Sequence, residues 1–67
     1  MKKVYAIFLA DSQGNFDWVL TVPKPIYHSK EEAEQIREQL IKTETTITQQ
    51  NSKVVELYQI EQNKKIN

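Results

Sequence analysis

The residues able to do chemistry are few, and they stand apart from one another. His28 is the only histidine and the chain has no cysteine, which excludes thiolate nucleophiles, disulfides and zinc–thiolate sites. A general base needs one group to orient it and a nucleophile within reach. The sequence supplies His28 with no specific partner of either kind. Asp11 and Asp17 flank a turn, but two carboxylates without a third oxygen or nitrogen ligand do not make a cation site. Glu31, Glu32, Glu34 and Glu38 spread around the first turns of a helix as a solvated face, with Glu38 spaced to pair with Lys42. The expectation is therefore a protein with no catalytic residue, no metal site, no cofactor and no small-molecule substrate.

Aromatic side chains beside basic ones raise a different possibility. Tyr5 and Tyr58, with Lys2, Lys3, Lys53, Lys64 and Lys65 near strand ends, would suit bases of a single-stranded nucleic acid stacking on an open sheet. Nine basic residues balance nine acidic ones, and no glycine-and-aromatic RNA-binding motif is present, so nucleic acid is the weaker reading.

These groups must be positioned by a small scaffold. Sixty-seven residues make one domain, and a chain of that size buries only about 60% of its unfolded surface, so a partner is a natural source of extra stability. No apolar run approaches the roughly 18 residues of a membrane span. The short apolar N-terminus lacks a signal-peptide cleavage site, and a cytoplasmic location is expected.

The central stretch is Lys3 to Ala10, KVYAIFLA, whose continuous apolar run reads as a strand buried on both faces. Val4, Ala6, Phe8 and Ala10 point one way; Tyr5, Ile7 and Leu9 point the other. Asp11 to Asn15 reads as a three-residue hairpin loop with Gly14 in the left-handed position. That closure sets Phe8 opposite Trp18, Ala6 opposite Leu20, Ala10 opposite Phe16 and Val4 opposite Val22. Phe16 to Val22 alternates as a half-buried edge strand, and Pro23 and Pro25 end it.

Ser29-Lys30-Glu31-Glu32 is a capping box that opens a helix. Ala33, Ile36, Leu40, Thr43 and Ile47 give it a narrow apolar stripe, which extends it to about Gln49, with fraying or a short extra strand as the alternative over the threonine-rich run 43–48, whose helix propensity is poor. Arg37 and Lys42 sit where the helix dipole favours cations. Lys53 to Ile60 is a third strand, and the polar tail 61–67 is expected to fray.

Strand, strand, helix, strand closes most simply as an α+β fold, ββαβ, in which a right-handed crossover places the third strand beside the first. The sheet order is then 2-1-3, with strand 1 central and the helix on one face. If the helix covers the Phe8 and Trp18 face, Tyr5, Ile7, Leu9, Val19 and Tyr58 remain as an apolar partner-binding patch. The expected function is a small non-catalytic interaction module. It would self-associate as a homodimer, or bind another protein, through the uncovered face or the edge of strand three, with weak single-stranded nucleic-acid binding as the alternative.

Overall fold

The structure, a computed structural model, describes residues 2–59; the expected fraying of 61–67 lies outside the described residues. The elements run β1 (Lys2–Leu9), β2 (Trp18–Val19), α1 (Lys30–Thr43) and β3 (Ser52–Gln59). They form an α+β fold with a three-stranded sheet in the order β2-β1-β3, both neighbours antiparallel to the central β1.

The hairpin loop closes as its residue types dictate. Asp11 N–H donates to Asn15 O at 2.8 Å, and Gly14 N–H donates to Asp11 O at 3.0 Å with Gly14 at φ +86°. The Asp11 carboxylate accepts from the backbone N–H groups of Gln13 and Asn15, each at 2.9 Å. These donors, Asn15 first, hold its pKa below the ordinary 3.8. A pKa depressed by folding contributes stability above the unfolded value and loses it as the pH falls through the folded one. In a carboxyl NMR titration Asp11 is accordingly expected to have its midpoint below 3.8; a midpoint at or above that value would contradict this loop geometry.

Beyond the loop the register departs from expectation. The ladder pairs Leu9 with Trp18 and Phe8 with Val19, and Leu20 N–H donates to Ile7 O at 2.8 Å. Between that ladder and the Asp11–Asn15 closure, Ala10 alone faces Phe16 and Asp17, a one-residue bulge. A slip of one residue moves every side chain to the opposite face. Trp18 therefore lies across from Leu9 rather than Phe8, and Leu20 joins Ile7 rather than Ala6.

β2 is two residues long instead of spanning Phe16 to Val22. After Leu20 the chain leaves β1, and Val22 is 71% exposed before the cis Val22–Pro23 peptide. Prolines cannot donate to a ladder, so the strand edge is completed further on. Tyr27 does this by exchanging two backbone hydrogen bonds with Tyr5, at 2.7 and 2.8 Å.

α1 starts as its capping residue requires: Ser29 is extended and its Oγ accepts from Glu32 N–H at 3.0 Å. The Glu32 carboxylate binds Lys24 Nζ at 3.0 Å, so it does not serve the reciprocal half of a capping box. The helix ends at Thr43, short of the expected Gln49, where Glu44 N–H donates to Leu40 O at 2.7 Å. Threonine and asparagine side chains compete for backbone groups and disfavour further turns. Asn51 shows this competition. It accepts from Thr48 N–H at 2.8 Å through Oδ1 and donates to Thr46 O at 2.9 Å through Nδ2, which shapes the loop that returns the chain to β3. The described salt bridges are Lys24–Glu32 and Lys3–Glu56; the expected Glu38–Lys42 pair does not form.

The core sits between α1 and the odd-numbered side of β1. Ile7, Tyr27 and Ala33 are fully buried there, packed by Tyr5, Leu20, Ile36, Leu40 and Val54. The expectation that α1 covers the Phe8–Trp18 side is thus corrected. The bulge brings Leu20 over to Ile7, β3 sets Val54 opposite Ile7, and the small Ala33 lets the helix approach those large side chains.

Candidate interaction surface

Each sheet face collects alternate residues, so the register decides what α1 leaves uncovered. The five expected partner-binding residues are divided by it. Tyr5 and Ile7 lie beneath α1, with Ile7 at 0% exposure, and Leu9 is half-buried opposite Trp18. Tyr58 is exposed on the helix side of β3, where its hydroxyl donates to Glu56 Oε2 at 3.1 Å. Val19 alone reaches the face opposite the helix, where it is 41% exposed. Tyr5 and Tyr58 therefore do not form a joint stacking platform.

The uncovered face is built from the even-numbered side of β1 and its cross-strand partners. Val4 pairs with Leu57, Ala6 with Val55, and Phe8 with both Val19 and Lys53. Val4 and Ala6 are buried; Phe8, Val55 and Leu57 are half-buried. Lys53 lays its Nζ 4.4 Å from the Phe16 ring centroid, a cation–π contact that covers one end of the face. Sequence patterning could place Val55 and Leu57 on a shared side. It could not show that this side continues Val4 and Ala6, because that requires the β1–β3 register.

The outer edge of β3 follows from the same register. Ala10 N–H donates to Asn51 O at 2.8 Å, so that pair is hydrogen-bonded. Alternation then makes Phe8–Lys53, Ala6–Val55, Val4–Leu57 and Lys2–Gln59 the hydrogen-bonded pairs. The N–H and C=O groups of Ser52, Val54, Glu56 and Tyr58 consequently point away from β1. Ser52 O already accepts from Arg37 Nη2 at 3.0 Å. Among the described residues no strand pairs with this edge.

The chemistry-bearing side chains do not assemble. His28 and Asp17 are exposed, and among the described residues no group of three or more His, Asp or Glu side chains could hold a metal ion. A shallow, open depression on the outside of α1 is lined by Glu31, Glu34 and Glu38 between Lys30 and Lys42, a solvated polar surface. The Tyr27 hydroxyl is buried without a hydrogen-bond partner among the described residues, and burial raises its pKa. Its ring lies 5.2 Å below Lys24 Nζ and fills the core beside Ile7 and Ala33. No described helix is long and apolar enough to cross a membrane.

Comparison of the chain with protein-family models, curated proteins and solved structures gives no match. The reading of this surface therefore rests on its own geometry.

Proposed function

We propose that this chain is a small non-catalytic protein-interaction module that associates with a second copy of itself through the parts of the sheet α1 leaves uncovered. The observation that carries this reading is the one-sidedness of the sheet. α1 packs over the side of the sheet that carries Tyr5, Ile7, Leu20 and Val54, while among the described residues no helix or strand covers Phe8, Val19, Val55 and Leu57 or pairs with the outer edge of β3 beyond Ser52, which Arg37 holds. Burying apolar surface contributes about 25 cal/mol per Å², and a domain this small has little other surface to draw on. Equal numbers of acidic and basic residues leave no net repulsion between copies.

Sedimentation equilibrium over a wide concentration range tests the proposal. The expected result is a rise from the chain mass to twice that mass. Leu57→Lys, on the uncovered face, is expected to weaken association about tenfold by burying a charge, with its circular dichroism unchanged. A monomer at every concentration would overturn the reading.

A further inference from the structure

We infer that Arg37 guards the outer edge of β3 against the addition of a strand from another chain, by filling the place such a strand would take at Ser52. This role is independent of self-association, because it concerns what closes the sheet edge rather than what covers the sheet face.

An edge strand presents a row of hydrogen-bonding groups and invites pairing unless a loop, a charge or a short length closes it. β3 turns the N–H and C=O groups of Ser52, Val54, Glu56 and Tyr58 outward, since Phe8–Lys53, Ala6–Val55 and Val4–Leu57 are the hydrogen-bonded pairs. Its outer flank is not uniform. Glu56 and Tyr58 are exposed, whereas Ser52, on the same edge and the same side of the sheet, is only 2% exposed. The difference lies in what stands beside Ser52. Arg37 Nη2 donates to Ser52 O at 3.0 Å and to Gln49 O at 3.1 Å, so a single nitrogen draws the loop after α1 up to the strand edge. Arg37 Nε donates to Ser52 Oγ at 3.0 Å, and Ser52 Oγ donates to Thr48 O at 2.6 Å.

Ser52 O has a second lone pair, so the barrier is one of space and charge rather than of spent hydrogen bonds. A strand reaching this rung would have to displace the guanidinium and the Thr48–Gln49 backbone together. It would also strip the charge of its acceptors, Ser52 Oγ, Ser52 O and Gln49 O, each a bond stronger than a neutral one. The outward-facing edge left open to a newcomer shrinks to Val54–Tyr58, and Glu56 sets a charged side chain in the middle of it. Short edges and edge charges are both means by which sheets avoid growth.

Sedimentation of wild type and Arg37→Met in the full chain, over one concentration series, tests the guard. Arg37→Met is expected to enter larger assemblies at a concentration at least about tenfold below any at which wild type does, the effect of one further pair of hydrogen bonds. Ser52→Ala is the control for lost stability. It removes both bonds of Ser52 Oγ but keeps Nη2 on Ser52 O and Gln49 O, and it is expected to sediment as wild type does. Arg37→Met combined with Glu56→Pro locates the assembly. The Glu56 N–H points outward, where proline is tolerated on an edge strand, so the β1–β3 ladder is kept and only an outward donor is lost. This double variant is expected to sediment as wild type again, although it is no more stable than Arg37→Met.

A folded Arg37→Met that sediments as wild type at every concentration overturns the guard. Equal assembly by Ser52→Ala, or assembly that Glu56→Pro does not reverse, overturns it too, because lost stability then accounts for the result. If circular dichroism shows Arg37→Met unfolded, Arg37→Lys, which keeps the stem and charge but loses the fork, is read in the same series with the same outcomes. A wild type that is monomeric throughout removes the self-association reading alone, since the guard is judged by the difference between variant and wild type.

Discussion

Ile7→Ala is expected to remove about 2–5 kcal/mol of stability, the range for truncating a fully buried large aliphatic side chain. Ile7 has no exposed surface and lies at the centre of the cluster formed with Tyr27 and Ala33. The cost combines lost burial with the cavity left beneath α1, where Tyr5, Leu20, Ile36, Leu40 and Val54 converge. At about 0.05–0.15 kcal/mol per residue, a 67-residue chain has roughly 3–10 kcal/mol in all. Much of the fold's stability therefore depends on this one side chain.

Urea denaturation of Ile7→Ala beside Phe8→Ala checks which face carries the core. Phe8 is the larger residue, yet it is only half-buried on the other side of the sheet. Ile7→Ala should nevertheless be the more damaging substitution. A larger loss from Phe8→Ala would mean that the core lies on the even-numbered face. Both measurements belong at one fixed protein concentration, since association with a second copy adds to apparent stability.

Arg37→Met is expected to cost about 2 kcal/mol, in the range for hydrogen bonds to a charged group. Arg37 is the only arginine, and its fork joins three parts of the fold. Its Nε donates to Ser52 Oγ at 3.0 Å; its Nη2 donates to Ser52 O at 3.0 Å and to Gln49 O at 3.1 Å. Ser52 Oγ in turn donates to Thr48 O at 2.6 Å. The guanidinium thereby ties the middle of α1 to the loop after it and to the first residue of β3. Methionine keeps most of the apolar stem but leaves these acceptors without their donor.

For a domain of this size such a loss lowers the melting temperature by about 8–16 °C. Arg37→Lys is the informative companion, because a point ammonium cannot span acceptors arranged for a planar fork. It is expected to recover less than half of the loss. Calorimetry showing Arg37→Lys equal to wild type would mean that charge alone, rather than the fork, holds the loop.

What could be read directly from the chain was local. The Asp11–Asn15 closure, with Gly14 at positive φ, follows from turn chemistry contained in five consecutive residues. Ser29 as helix cap needs only its neighbour three positions on. The strand order needs the element sequence and the handedness of crossovers, and the double-sided apolar run of β1 independently requires a central position. The apolar signal at Ile47 was also sound, since Ile47 is buried. Its element was not, because side-chain hydrogen bonds of Thr48 and Asn51 replaced the helical turn that periodicity alone would continue.

The sequence by itself therefore determined the turns, the cap, the element order and the centrality of Lys2–Leu9, each set by interactions within a few residues or by chain topology. Tertiary structure decided which side of that strand is core. With apolar residues on both faces, a period of two carries no sign. A single bulge at Ala10, facing Phe16 and Asp17, moved Leu20 to the Ile7 side, where α1 packs. The bulge set Val19 beside Phe8, and the β1–β3 register set Val55 beside Ala6 and Leu57 beside Val4, on the face away from the helix that covers Tyr5 and Ile7.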